Sequence, residues 1–291
     1  MWFQAEQGNL RDILNFILPM EEYCVNFSSW LKKGTKAALP SRREALVYLL
    51  ASEHSLPSVG GGNIRALLLL TRSGLLVPVV HPQDPLSLRD LRGLDEILGR
   101  TPRKIFCIAG LANRVQLFQN YLGLHGKSIA YHLMKREISK PLEANLFPPD
   151  LHLHGMTLED AERVFPLEVK YQHEEVLVHP ERFNPAAHLM YFKRNIRQQD
   201  IFFATIGKEV VAKAGTNAQG FRYCQIGGVY TDQAYRGRGI ARTVMVKLLE
   251  VLETRGQGSV LFVRKGNQPA VRLYQGLGFS HLGDFQITYP D

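Results

Sequence analysis

Apolar and polar positions alternate through the C-terminal half of the chain in blocks that predict strands and helices in turn. Period-two alternation predicts a strand over residues 150–154, and apolar segments predict a hairpin of 201–206 with 209–214 and strands over 221–230 and 259–264. A last strand pair is predicted within 280–289. Helical spacing predicts helices over 157–174, 185–198, 240–254 and 267–278. The first of these begins with a capping signature, Thr157-Leu-Glu-Asp160. The order is therefore strand, two helices, three strands, helix, strand, helix and two strands.

The N-terminal half gives a weaker pattern of mixed elements. Its apolar spacing predicts helices over 10–17, 23–30, 86–98 and 113–122, strands over 45–50 and 105–108, and a hairpin of 64–71 with 75–81. Gly60 to Gly62 predict a loop, and the polar stretch 128–145 is interpreted as helical. Because Pro148-Pro149 marks a joint, we predict two domains, 1–147 and 148–291.

A short segment of the N-terminal half is similar in sequence pattern to one of the C-terminal half. Ile105 to Ile108 and the helix that follows overlay, without gaps, Val260 to Val263 and the helix ending at Gly278-Phe279. Two interpretations stand side by side: a tandem repeat, or an unrelated α/β domain with a generic strand and helix. In the repeat, the first copy lacks the glycine turn described next.

The segment Gly227 to Ala241 (G-G-V-Y-T-D-Q-A-Y-R-G-R-G-I-A) carries the most chemistry. It ends an apolar strand and opens an amphipathic helix. The first turn of a helix leaves backbone N–H groups unpaired at the positive end of its dipole, so an anion binds there. Gly237 and Gly239 allow close approach of the backbone, which predicts a pyrophosphate site. Taken by itself, the segment is equally compatible with an ordinary tight connection.

Two motifs in this order resemble the GNAT superfamily of CoA-dependent N-acetyltransferases. The first is Val229-Tyr-Thr231 followed by Arg236-Gly-Arg-Gly-Ile-Ala241, and the second is Asn267-Gln-Pro-Ala-Val-Arg-Leu-Tyr274 followed by Gly278-Phe279. The resemblance covers about 140 C-terminal residues. It implies an α/β (α+β) fold with a mixed, mostly antiparallel central sheet flanked by helices.

The resemblance also implies roles for single residues. Val229, Tyr230 and Thr231 would offer main-chain groups to the pantetheine arm, where Gly227-Gly228 favours a bulge. The pyrophosphate would lie on the N–H groups of Arg236 through Ala241, which include Gly237, Arg238, Gly239 and Ile240. Asn267 would bind pantetheine and cap its helix, and Tyr274 would protonate the departing thiolate, although a core tyrosine is the alternative.

The general base is not identified by the motifs. Some protein N-terminal acetyltransferases of this family carry a glutamate five residues before the asparagine, where this chain has Phe262. The candidates elsewhere are Glu168, Tyr171, Glu174, Glu175, Tyr223 and Gln225.

Composition limits the remaining functions. The chain of 291 residues has a net charge of +8, and its first 148 residues carry 18 Lys and Arg against 12 Asp and Glu. These cations are scattered rather than striped, which argues against a dedicated nucleic-acid site. The longest apolar runs are too short for a membrane span, and the N-terminus lacks a leader pattern, so we predict a cytoplasmic protein. Cys24, Cys107 and Cys224 are expected to be free and buried, and no metal site is predicted.

We therefore predict an acyltransferase that passes acetyl from acetyl-CoA to a primary amine by direct attack in a ternary complex. A small molecule or amino acid is the first choice of acceptor. A protein lysine or N-terminus, a longer acyl donor as in glycine N-acyltransferases, and a CoA sensor without turnover remain alternatives. The sequence leaves the oligomeric state open.

Overall fold

The computed structural model describes residues 1–51, 64–138 and 150–291. In the N-terminal half the strands are β1 (Trp2–Gln4), β2 (Lys32–Lys33), β3 (Lys36–Ala37), β4 (Ala45–Ala51), β5 (Ile64–Thr71), β6 (Leu75–Val80), β7 (Cys107–Leu111) and β8 (Gly126–Arg136). The helices are α1 (Leu10–Ile17), α2 (Val25–Leu31), α3 (Leu94–Gly99) and α4 (Ala112–Leu122).

The C-terminal half repeats much of this order. Its strands are β9 (Leu151–Gly155), β10 (Ile201–Ile206), β11 (Glu209–Gln219), β12 (Tyr223–Thr231), β13 (Gly258–Arg264) and β14 (Ser280–Pro290). Its helices are α5 (Ala161–Tyr171), α6 (Pro185–Gln198), α7 (Ile240–Thr254) and α8 (Gln268–Gly276), and a π-helical turn, Gln172–Val176, extends α5.

Twelve of these strands form one sheet that passes through both halves. The order is β1-β4-β5-β6-β7-β14-β8-β13-β12-β11-β10-β9, and only the β6–β7 and β12–β13 pairs of this sheet are parallel in the described chain. The predicted mixed, mostly antiparallel sheet is confirmed. Each half thus places a parallel pair before a helix and a further strand, which favours the tandem-repeat interpretation.

The last strand of each half pairs with strands of the other half. β8 pairs with β13, and β14 pairs with β7, while β8 and β14 pair with each other from Ser280–Lys135 to Pro290–Gly126. We call this arrangement the strand exchange. It means that neither half has a complete sheet without a strand from the other.

The strand exchange explains two wrong predictions. Residues 126–136 form a strand, not part of a helix, because Leu133 and Met134 are buried on opposite faces of the sheet centre. The expected strand pair within 280–289 is one continuous strand with a bulge after His281. The partner strand that the C-terminal half lacks is β8.

Smaller differences are local. The helix expected over 86–98 is split at Gly93, whose φ of +79° lies in the left-handed region, into a 3-10 turn at Leu88–Leu91 and α3. The expected loop at Gly60 to Gly62 and the boundary at 147/148 lie outside the described residues, so the two-domain division stays a prediction. The three cysteines are free and buried, as expected. Across the described ranges, no helix combines the length and apolar character needed to cross a bilayer.

The buried carboxylate of Glu21 forms hydrogen bonds between the two halves. Glu21 is 0% exposed and accepts hydrogen bonds from the backbone N–H groups of Phe221 (2.6 Å) and Arg222 (2.7 Å). Lys32 donates to the carbonyl of Gly220 at 2.6 Å. These contacts hold α2 of the N-terminal half over β11 and β12.

Candidate active site

The site begins where two neighbouring strands separate. β12 and β13 are paired from Tyr223–Gly258 to Ile226–Leu261, and the rest of β12 has no pairing with β13. On the other side of β12, the register with β11 shifts between Lys213 and Gly215, which confirms the predicted bulge at Gly227-Gly228. Main-chain groups of Val229 to Thr231 therefore border an open wedge in the sheet.

A buried ion pair contacts the backbone of this bulge. Lys213 is 4% exposed, donates to the Gly228 carbonyl at 2.9 Å and pairs with Glu168 at 2.8 Å. Glu168 also contacts His188 Nε2 at 2.9 Å and accepts from Gln172. Burial opposes its charge, but Lys213 and these hydrogen bonds outweigh burial and lower the pKa of Glu168 to about 2. Sequence reasoning missed Lys213, although a lone lysine among the apolar residues of β11 was the available signal.

The turn into α7 has the backbone that the motif predicts. Gly237 and Gly239 have φ values of +78° and +75°, and Ile240 is buried where the helix begins. A β-carbon at either glycine would meet no atom within 4 Å, so the space in front of the turn is open. The backbone N–H groups of this first turn are available to an anion.

The two arginines of the motif lie on the surface with partners of their own. Arg236 pairs with Glu174 at 2.7 Å and donates to the Thr231 carbonyl. Arg238 lies over the ring of Tyr235 and donates to the Ala234 carbonyl at 3.4 Å. A phosphate at this turn would compete with Glu174 for Arg236.

Asn267 and Tyr274 lie at the open side of the wedge, on the loop before α8 and on α8. Asn267 caps the helix by accepting from the Ala270 N–H at 3.2 Å, as predicted, and its amide approaches Glu175 Oε1 at 3.5 Å. Tyr274 is 7% exposed, and its ring lies edge-on to Phe279 at 6.0 Å. Burial, reinforced by Glu175, raises the pKa of Tyr274 well above its ordinary value.

A cavity of about 1610 Å³ opens from the wedge toward the N-terminal half. One end is lined by Gly228, Val229, Asn267 and Tyr274. Other walls come from α2, α6 and the start of β6, so both halves line it. Its cationic side chains are Lys32, Arg43, Arg72, Arg194 and Arg264, against the carboxylates Glu44 and Glu175.

The three carboxylate candidates for the general base differ in their partners and in whether they line the cavity. Glu168 is bound to Lys213, Glu174 is bound to Arg236 and Tyr230, and neither lines the cavity. Glu175 lines the cavity, and burial raises the pKa of its carboxyl.

The other three candidates differ in their partners. The Tyr223 hydroxyl donates to Glu137 at 3.0 Å, away from the wedge. Tyr171 lies under Lys213, whose ammonium is 4.3 Å from the ring centroid. Gln225 is 7% exposed and lines the cavity. Its Oε1 is shielded from solvent without a hydrogen-bond partner in the described chain.

Known proteins are similar to this chain in sequence. Residues 166–279 match the model of the acetyltransferase (GNAT) family. The N-alpha-acetyltransferase RimI of Mycobacterium tuberculosis is 31% identical over 135 residues, which are 44% of this chain and 78% of that protein. Two further relatives, an uncharacterised Mycobacterium leprae protein and a mycothiol acetyltransferase of a Nocardioides species, are covered over only 19% and 22% of their lengths.

Solved structures extend the likeness of fold to the whole chain. An X-ray structure of a Drosophila protein superposes with a TM-score of 0.66 at 11% identity, covering 99% of this chain and 98% of that one. A tandem GNAT protein from the clavulanic acid biosynthesis pathway superposes with a TM-score of 0.54 at 13% identity, covering 99% and 98%. The resemblance predicted from two short motifs is confirmed.

Proposed function

Because the chain belongs to the acetyltransferase (GNAT) family, we propose that it transfers the acetyl group of acetyl-CoA to the primary amine of a small molecule or amino acid. Acetyltransferases of this family use acetyl-CoA. The observation that carries the proposal is the cavity that begins at the wedge beside Tyr274 and is lined by both halves.

The residues around the wedge fit acetyl-CoA. The part of β12 that does not pair with β13 would offer main-chain groups to the pantetheine arm, which would bind there as a further strand does. Thr231 Oγ1 is shielded from solvent and lacks a hydrogen-bond partner within the described residues, as expected of a group that a bound molecule satisfies. The N–H groups at Gly237 to Ala241 would hold the pyrophosphate, and an N–H near Val229 or Thr231 would polarise the thioester oxygen.

Tyr274 is proposed as the general acid. The amine nitrogen forms a bond to the acetyl carbon while the bond from that carbon to sulfur breaks, and the sulfur leaves as a thiolate. The phenol of Tyr274 is protonated at neutral pH and lines the cavity, so it can donate a proton to that sulfur.

Glu175 is proposed as the general base. It lines the cavity, approaches the Asn267 amide, and interacts electrostatically with Tyr274. Burial raises the pKa of its carboxyl, which makes the carboxylate a better proton acceptor for the attacking amine. Its place on a π-helical turn matches the tendency of such turns to occur at functional sites.

The lining favours a small acceptor over a protein. Both halves contribute walls to the cavity, which limits the approach of a folded protein to the wedge more than that of a free amino acid. The excess of cationic lining side chains favours an amine that also carries a carboxylate, because arginine pairs with carboxylates in a bidentate geometry. Acetylation of a protein lysine or N-terminus is the alternative acceptor class.

Release of CoA thiol from acetyl-CoA tests the proposal with amino acids, amines without a carboxylate, and lysine peptides supplied in parallel. We expect turnover with amino acids and a fall of about a hundredfold in Glu175→Gln, the loss typical of a missing proton acceptor. Peptides that react faster than every free amine would move the assignment to a protein acetyltransferase. Acetyl-CoA binding without thiol release in any mixture would make the protein a sensor.

A further inference from the structure

Three metal-binding side chains meet at the strand exchange, outside the cavity. His132 of β8 lies directly opposite Asp284 of β14, and His281 precedes the bulge on β14. The two imidazole rings are edge-on with centroids 5.1 Å apart. His132 comes from the N-terminal half and the other two residues come from the C-terminal half. None of the three lines the cavity.

The possible ligand atoms of these three side chains lie close to one another. Asp284 Oδ1 is 3.8 Å from His132 Nδ1 and 3.5 Å from His281 Nε2, and all the donor atoms lie within 4.8 Å of one another. Zinc bonds to nitrogen and oxygen are about 2.0 to 2.2 Å long, so ligand atoms of a tetrahedral site lie roughly 3.3 to 3.5 Å apart. Small side-chain rotations therefore suffice to bring the three atoms into a coordination shell.

The surroundings of the cluster point to a bound cation. His132 Nδ1 is shielded from solvent and makes no hydrogen bond within the described residues. A buried nitrogen without a partner is commonly satisfied by a water or an ion. Lys265 Nζ contacts the other carboxylate oxygen, Asp284 Oδ2, at 2.8 Å, which orients the carboxylate and leaves Oδ1 toward the histidines.

We propose that His132, His281 and Asp284 bind one divalent transition-metal ion of the Zn²⁺ class, which fastens β8 to β14. Two imidazoles and one carboxylate suit Zn²⁺ and exclude hard cations such as Mg²⁺ and Ca²⁺, which take oxygen ligands. Three protein ligands leave a fourth position for water. The ion would act on the stability of the strand exchange and not on acetyl transfer, since none of its three ligands lines the cavity.

Tag-free protein titrated with ZnCl₂ in a calorimeter provides the test. We expect one Zn²⁺ per chain, and a rise in the thermal midpoint of roughly 4 to 8 °C once Zn²⁺ exceeds its dissociation constant a hundredfold. Co²⁺ in its place should give the visible absorption of a low-symmetry site. His281→Ala and Asp284→Asn should each weaken Zn²⁺ binding at least tenfold and abolish the thermal shift.

His152→Ala is the matched control, because His152 is an exposed histidine on β9 at the far edge of the sheet. It should bind Zn²⁺ like the unmodified protein. His281 and Asp284 have 55% and 48% of their side chains exposed, so their variants are expected to fold, which circular dichroism checks. No Zn²⁺ binding by the unmodified protein, or equal binding by both ligand variants, would overturn the proposal.

Discussion

Tyr274 of α8 combines burial with a place at the cavity, whereas Tyr223 and Tyr230 of β12 are buried but do not line it. Tyr274→Phe keeps the ring that packs edge-on to Phe279 and removes only the hydroxyl. We expect the turnover rate to fall by roughly a hundredfold, the loss typical of a missing general acid, with little change in acetyl-CoA affinity. Steady-state kinetics and calorimetric binding of CoA measure the two quantities. An unchanged turnover rate would reduce Tyr274 to a core residue.

Lys213 and Glu168 stabilise each other because both are removed from water. Lys213→Met leaves the Glu168 carboxylate buried without its cation, which costs about 3 to 5 kcal/mol of unfolding free energy. The double variant with Glu168→Gln carries no buried charge there and should recover part of that loss. Urea unfolding of the three proteins measures the difference. Equal stability of the single variant and the unmodified protein would contradict the expectation.

The same carboxylate predicts how stability depends on pH. The pKa of Glu168 is about 2 in the folded protein and about 4.3 in an unfolded chain, so the folded state favours its charged form. The contribution, roughly 3 kcal/mol, is present above pH 4.3 and is lost as the pH falls toward 2. Denaturation curves at several acidic pH values should show this loss in the unmodified protein and a smaller loss in the double variant. Parallel curves would place the acid sensitivity elsewhere.

At the scale of elements, the bulge in β12 joins the site to the ion pair beneath it. Gly228 has a φ of +62°, and a β-carbon there would lie 2.9 Å from Lys213 Nζ. Gly228→Ala should therefore strain the backbone and push Lys213 from the Gly228 carbonyl. We expect kcat/KM to fall at least tenfold, since small displacements of positioning groups cost that much.

Gly207→Ala is the control for this change. Gly207 has a similar φ of +57° in the turn between β10 and β11, and a β-carbon there meets no atom within 4 Å. Both variants should lose stability by about 1 to 2 kcal/mol from backbone strain. Only Gly228→Ala should lose activity. Equal losses of activity would attribute the effect to general strain and not to the bulge.

Elements with local signals could be predicted, and elements that depend on distant partners could not. The bounds of α6 are as predicted, because Asn184 caps the helix and Pro185 begins it. β8 was missed because Ala130, Leu133, Met134 and Lys135 favour helices in isolation, and its partners β13 and β14 belong to the other half. The motifs identified the wedge residues, but the Lys213–Glu168 pair depends on contacts between α5 and β11 that no local pattern records.

For the whole molecule, the strand exchange predicts that the halves depend on each other. If the chain is divided at residue 147/148 and the halves are made separately, each lacks a central strand and exposes unpaired strand edges. We expect neither half to unfold cooperatively alone, and co-expression to give a one-to-one complex with acetyl transfer restored. Thermal unfolding and size-exclusion chromatography distinguish these states. A C-terminal half that unfolds cooperatively alone would contradict the prediction.

The position of β14 in the chain also determines when the sheet can be completed during synthesis. β14 leaves the ribosome after every other described strand, yet it lies between β7 and β8 near the middle of the sheet. Until it emerges, β7 has an open edge, and β8 is paired on one side at most. The nascent N-terminal half therefore cannot complete its part of the sheet before β14 has been synthesised, and this chain departs from the usual order in which N-terminal domains fold first. A stalled or truncated product would expose those edges and would depend on chaperones to stay soluble.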